Sequence, residues 1–250
     1  MSAFGLLFVL ALAVVSVTAQ KRPVHIFLAG DSTMAAKAED KRPETGWGEM
    51  LEVRFTPGTV KIENRAMNGR STKSFIDEGR WQKIVDDLQS GDWVFIQFGH
   101  NDQKKDSPDR YSSPEDYRKN LVRFVDEVRA KGGNAILLTP VVRRRFDKDG
   151  KFYDTHGEYP GVVRRVAWEH KVQMIDLHKY SGDMVSRFGH ENSKKFFLHL
   201  KPGKSDNYPN GVEDDTHFSH YGANVMALLA AGEIRQSRND LSKLLKRGDR

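Results

Sequence analysis

Three short stretches carry the residue types that hydrolytic chemistry needs. FLAGDSTMA (27–35) ends an apolar run in a carboxylate and a hydroxyl, Asp31 and Ser32. FGHND (98–102) ends another in the amide of Asn101, and EDDTHFSHYGA (213–223) holds Asp214 and His217 three residues apart. A serine hydroxyl becomes a useful nucleophile only beside a base, in a site that stabilises the charge growing on the attacked carbonyl oxygen. His217 is the candidate base. One tight turn would let Asp214 hold one imidazole nitrogen while the other faces Ser32, with the adjacent Asp215 as the alternative acid. Asn101 would bring an N–H donor to the same place, and in NRAMNGRSTKSF (64–75) Gly69 can present its backbone N–H to a neighbouring ligand. Each stretch also has a plainer reading. Asp31, Ser32 and Thr33 all cap helices well, Asn and Asp after a strand form ordinary turns, and acids ahead of a helix favour its dipole.

These residues matter only if the fold gathers them, and the hydrophobic pattern says where it would. VHIFLAG (24–30), TVKIENRAM (59–67), DWVFIQFG (92–99), NAILLTPVV (134–142) and VQMIDL (172–177) read as strands, several too continuously apolar for a half-exposed sheet. Between them GWGEMLEVRF (46–55), RWQKIVDDLQ (80–89), SPEDYRKNLVRFVDEVRAKGG (113–133) and PGVVRRVAWEHK (160–171) carry apolar residues at helical spacing. The third is the clearest: Ser113 caps, Pro114 opens the first turn, Tyr117, Leu121, Phe124, Val125 and Val128 form one face, and Gly132 stops it. Alternating strand and helix predicts an α/β fold with a mostly parallel sheet covered on both sides. In such a sheet ligands bind beyond the carboxyl ends of the strands, which is where Ser32, Gly69 and Asn101 fall. RRRFDKDGKFYDTHGEYP (143–160), with Asp149-Gly150 at a turn, reads as a hairpin or long loop, VMALLAAG (225–232) as an apolar helix, and the charged RQSRNDLSKLLKRGDR (235–250) as a solvated terminal helix.

The first residues, MSAFGLLFVLALAVVSVTAQ, have an apolar run too short to span a bilayer and end in Val17-Thr18-Ala19, the pattern of a secretory signal cleaved after Ala19. Residues 1–19 are therefore expected to be a leader and 20–250 one domain, secreted or periplasmic and free of the membrane once cleaved. Cysteine is absent, so the exported chain is held by its core rather than by disulfides. The formal charge of +6 is modest, and the same field that would attract nucleic acid would attract an acidic polymer such as a uronic-acid polysaccharide; the polysaccharide, and no nucleic acid, is the expected partner.

With Ser32 in GDST, Gly69 in NGRST, Asn101 in GHND, and Asp214 and His217 in DDTH, in that order, the sequence resembles the SGNH or GDSL hydrolase superfamily, and within it the rhamnogalacturonan acetylesterases. The resemblance implies a flavodoxin-like three-layer αβα sandwich with a five-stranded parallel sheet. It implies a Ser32–His217–Asp214 triad, an oxyanion hole built from the Ser32 and Gly69 N–H groups and the Asn101 amide, and removal of acetyl groups from pectic polysaccharide without metal or other cofactor. Arg143, Arg144, His156 and Tyr159 are candidates for contact with the substrate. A rival pair, Asp154 and His156, is expected to diverge and to serve in the cleft wall. A metal-dependent phosphoesterase would need clusters of carboxylates and imidazoles, and no regular ligand spacing occurs in the sequence. An esterase for lipid or thioester acyl chains, or for another acetylated polysaccharide such as xylan, shares the same blocks. An inactive polysaccharide-binding protein is the reading outside enzymes.

Overall fold

The computed structural model describes residues 22–248, so the expected leader lies outside the described residues. Its centre is a five-stranded, wholly parallel sheet of β1 (Val24–Gly30), β2 (Val60–Asn64), β3 (Trp93–Gln97), β4 (Asn134–Leu138) and β5 (Gln173–Ile175), in the order β2-β1-β3-β4-β5. All five predicted strands are present, β1 over its whole predicted run and the other four shorter than theirs. β1 shows why the runs are continuous. Ile26 and Leu28 pack with Phe95 and Ile136 into one core, while Phe27 and Ala29 pack with Val94 and Leu137 into the other. Successive side chains point to opposite faces, and both faces are dry.

Helices α1 (Thr72–Asp77), α2 (Arg80–Asp87), α3 (Pro114–Ala130) and α4 (Tyr159–Glu169) cover one face, and α5 (Leu177–Asn192) and α6 (His220–Ser237) the other, giving the expected three layers. α3 is as predicted: Ser113 Oγ accepts from Asp116 N at 3.1 Å, and Tyr117, Leu121, Phe124, Val125 and Val128 are its buried residues. No helix among the described residues is long and apolar enough to cross a membrane.

Three expectations are corrected. Residues 46–55 form two 3₁₀ turns, Trp47–Met50 and Glu52–Arg54, instead of an α-helix. Here the backbone presses on the turn after β1, and a Cβ on Gly46 would lie 1.9 Å from Ala35 O. The charged C-terminus is no solvated helix either: Leu241 and Leu245 are buried, and Leu245 bridges to Phe55. Finally, residues 213–218 belong to a second, antiparallel pair, β6 (Phe197–Leu200) with β7 (Val212–Phe218). Residues 143–160 do form a hairpin-like excursion, bridged at Phe146 and Phe152.

Candidate active site

The sheet order places the site. β1 and β3 are neighbours in register, Gly30 opposite Gln97, and the chain leaves them in opposite directions, so Ser32 and Asn101 emerge at the same edge where the strand order reverses. His217 arrives from β7. There the pairing jumps from Phe197–Phe218 to Leu198–Asp214, so residues 215–217 bulge from the ladder. Bulges re-aim side chains, and this one folds back on Asp214. Asp214 Oδ1 accepts the backbone N–H groups of Thr216 at 2.7 Å and His217 at 2.9 Å. Its Oδ2 takes His217 Nδ1 at 2.7 Å, and His217 Nε2 lies 2.9 Å from Ser32 Oγ. Burial alone would raise the Asp214 carboxyl, but His217 and the two amides outweigh it and hold it at about 2. A carboxylate fixed on one imidazole nitrogen with a hydroxyl on the other is the arrangement in which imidazole can take the hydroxyl proton.

Asp215 is the other acid only in sequence. Its Oδ1 accepts from Arg144 Nη1 at 2.6 Å and from His199 Nε2 at 2.9 Å, facing away from His217.

The turn carrying Gly69 is stapled to both strands. Met67 N donates to Gly30 O at 3.0 Å, and Asn101 Nδ2 spends one hydrogen on Arg70 O at 3.0 Å, which leaves its second N–H unspent. Gly69 itself has φ +78°, a conformation a side chain would strain. A brace that sequence reasoning missed joins this turn to the serine. The ammonium of Lys37, whose side chain is 1% exposed, donates to Ser32 O at 2.5 Å and Asn68 Oδ1 at 2.9 Å and pairs with Glu44 at 2.8 Å. Beneath lies a polar chain, also unforeseen: Trp47 Nε1 donates to Gln97 Oε1 at 2.6 Å, Gln97 Nε2 to Thr33 Oγ1 at 3.0 Å, and Thr33 Oγ1 to Asp31 Oδ1 at 2.8 Å. Asp31 orders the turn. It is fully buried, and although burial raises its carboxyl, His100 at 3.3 Å and the Thr33 donors hold it at about 2. Burial pushes the His100 imidazole below its ordinary value despite that partner. Asp102 goes the other way. Burial outweighs the two bonds from Thr72 N and Oγ1 and lifts its carboxyl to about 7.

Of the four residues expected at the substrate, three turn inward. Arg144 is buried and spent on Asp215, Ser193 Oγ and His190 O. The Tyr159 hydroxyl, 6% exposed as a residue, donates to Ser112 O at 2.6 Å. His156 is buried with Nδ1 3.0 Å from Asp154 Oδ1. These two do not diverge as expected, because residues two apart on an extended chain share a face. His178 Nε2 joins the same carboxylate oxygen at 2.8 Å, so a carboxylate–imidazole cluster does assemble here, though spacing along the chain concealed it. His156 Nδ1 and His178 Nε2 both turn to Asp154, while His156 Nε2 is buried with no hydrogen-bond partner among the described residues. Arg143 alone keeps a half-buried guanidinium beside the site, bonded to His100 O.

The chain is 41% identical over 216 residues to the rhamnogalacturonan acetylesterase RhgT of Bacillus subtilis (strain 168), covering 86% of this chain and 91% of that protein. It is 37% identical over 213 residues to the probable rhamnogalacturonan acetylesterase YesY of the same organism, covering 85% and 93%. Among solved structures, YxiM of Bacillus subtilis aligns with a TM-score of 0.73 at 25% identity, over 86% of this chain and 57% of that one. A catalytic mutant of Axe2, an acetylxylan esterase from Geobacillus stearothermophilus, shares the fold at a TM-score of 0.59 and 17% identity, over 85% and 94%. Residues 28–225 match the GDSL-like lipase/acylhydrolase family, and with the relatives this shows that the chain belongs to that family of carboxylic ester hydrolases.

Proposed function

We propose that this protein is an exported serine esterase that removes acetyl groups from an acidic pectic polysaccharide of the rhamnogalacturonan type. The observation that carries the reading is the unbroken contact from Asp214 through His217 to Ser32 Oγ, at 2.7 and 2.9 Å. In this reaction His217 Nε2 takes the hydroxyl proton as Ser32 Oγ bonds to the acetyl carbonyl carbon, and the carbonyl π electrons move onto oxygen. The oxyanion is received by the N–H groups of Ser32 and Gly69 and by the Asn101 amide. On collapse the bond to the sugar oxygen breaks, His217 returns the proton to that oxygen, and acetyl remains on Ser32. Water, deprotonated by the same imidazole, then releases acetate and restores the hydroxyl. Asp214 stays ionised throughout and steadies the imidazolium. The names of RhgT and YesY and the positive net charge support the pectic substrate; the apolar pattern of residues 4–15 supports export.

Acetate release from acetylated rhamnogalacturonan, homogalacturonan and xylan tests the reading, with Ser32→Ala as the control. Release from rhamnogalacturonan should be fastest and should vanish in Ser32→Ala. Faster turnover of octanoyl than of acetyl nitrophenyl esters would overturn it in favour of a lipid or thioester acyl substrate. Export is checked separately by the N-terminal residue of protein recovered outside the cytoplasm, expected to be Gln20.

A further inference from the structure

The carboxylate–imidazole cluster of Asp154, His156 and His178 has the composition of a metal-ion site. Asp154 Oδ1 lies 3.0 Å from His156 Nδ1 and 2.8 Å from His178 Nε2, and one ligand atom from each residue falls within 4.8 Å of the others. A tetrahedral zinc with bonds of about 2.1 Å holds its ligand atoms about 3.4 Å apart, so an ion enters once the two contacts open by about half an ångström. The backbone aims these donors. His156 N donates to Asp154 Oδ2 at 3.0 Å, which leaves Oδ1 to the imidazoles. His178 stands in the first turn of α5, its N–H bonded to Thr139 Oγ1 at 2.8 Å just past β4. His156 is buried, but Asp154 is exposed and His178 half-buried, so solvent gives an ion a way in. Arg143, the neighbouring cation, is turned to Thr155 Oγ1 and His100 O.

Hydrogen bonding alone leaves His156 unsatisfied. With its hydrogen on Nδ1, shared with Asp154, Nε2 is a lone pair buried without a donor among the described residues. Leaving a buried polar atom unpaired is costly. A metal on Nδ1 moves the hydrogen to Nε2 and makes His156 a donor. The perpendicular His100 ring, 4.7 Å away between centroids, carries an unpartnered buried nitrogen of its own that can accept.

We infer that Asp154, His156 and His178 bind one divalent transition-metal ion of the zinc type, with water completing its coordination. Two imidazoles and one carboxylate suit such an ion better than calcium or magnesium, which take oxygen ligands. The ion fastens the 143–160 excursion, whose own ladder is the isolated Phe146–Phe152 bridge, to the start of α5. None of the three ligands belongs to the Ser32–His217–Asp214 contact, so the inference stands apart from the esterase reading.

Calorimetric titration of EDTA-stripped, dialysed protein with zinc at neutral pH tests the site. About one ion per chain should bind, with a micromolar or tighter dissociation constant. Asp154→Asn and His178→Gln should each weaken binding at least about tenfold. His217→Gln and His190→Gln should leave it intact, the second removing a ring from the exposed His190–Glu191 pair. Zinc at a hundred times its dissociation constant should raise the melting temperature by about 5 °C or more, and calcium should not. Cobalt bound in place of zinc should give the intense visible bands of a tetrahedral ion, a reading on the unsubstituted protein that serves even where a variant fails to fold. No zinc binding, binding that survives both ligand substitutions, binding lost in His217→Gln or His190→Gln, equal stabilisation by calcium, or only the weak bands of octahedral cobalt overturns the site.

Discussion

At the scale of single residues, the site is governed by buried charges whose partners lie far away in sequence. Lys37 joins near partners, Ser32 and Glu44, to a distant one, Asn68. Exchanging Lys37 for methionine leaves the Glu44 carboxylate, Asn68 Oδ1 and Ser32 O without their donor. Breaking a buried pair by removing one partner costs about 3–5 kcal/mol. Lys37→Met should therefore melt roughly 10 °C lower. With the Gly69 turn released from Ser32, nitrophenyl acetate turnover should also fall on the order of a hundredfold; a variant with the parent's kcat would show that the brace does not serve the reaction. Asp102 predicts a pH effect. Its folded carboxyl titrates at about 7 against 3.8 in the unfolded chain. Its contribution is fully present below the unfolded value and is lost as pH rises toward 7, a loss on the order of 4 kcal/mol when complete. Buried His156, pushed down to about 3 by burial, works oppositely: its contribution is kept above the ordinary imidazole value of 6.5 and lost as pH falls below it. The measurable quantity is therefore a difference. Between pH 4 and 7 the stability of Asp102→Asn, from denaturant midpoints, should climb more steeply with pH than the parent's; parallel curves would refute the assignment. Ser32, Asn101, Asp214 and His217 were legible because their types and order match a known chemistry. Lys37 and Gln97 were not, since a lysine or glutamine in sequence carries no mark of what will surround it.

At the scale of elements, the β6–β7 pair decides which acid serves His217. The bulge at 215–217 aims His217 at Ser32 while Arg144 pins Asp215 from the other side. Arg144→Met should destabilise the protein by about 3 kcal/mol, because the guanidinium is buried and Asp215 only partly exposed. The neighbouring Arg145 reaches Asp215 at 3.4 Å from an exposed position, so Arg145→Ala should cost no more than about 1 kcal/mol. Thermal melts of the two variants distinguish a structural clamp from a surface ion pair, and similar losses would contradict this account. The hairpin escaped sequence reasoning because Glu213-Asp214-Asp215-Thr216-His217 shows no apolar alternation: β7 is stabilised by a carboxylate bonding backbone and by an arginine, rather than by a buried face. α5 was missed as well. The third strand-to-helix unit, α3, was read correctly to the residue because cap, proline and apolar stripe all agree there.

At the scale of the whole molecule, the formal charge of +6 acts over distances the site does not reach. It should speed and tighten encounter with an acidic polymer, an effect screened as the Debye length shrinks from roughly 10 Å at 0.1 M salt to 3 Å at 1 M. The KM for acetylated rhamnogalacturonan should rise several-fold over that range, while the KM for neutral nitrophenyl acetate stays within about twofold; equal salt dependence would exclude a charge-selected substrate. The sequence by itself determined the layered α/β architecture and the edge where chemistry would gather, because continuous apolar strands must be covered on both faces and parallel strands end together. Only the tertiary structure decided that Asp214 rather than Asp215 faces His217, that Arg144, His156 and Tyr159 turn inward, and that Lys37 ties the serine to the Gly69 turn. Those outcomes depend on side chains meeting across the fold, Lys37 and Asn68 over 31 residues of chain, Arg144 and Asp215 over 71, Ser32 and His217 over 185, and residue type alone does not record a side chain's direction or its neighbours.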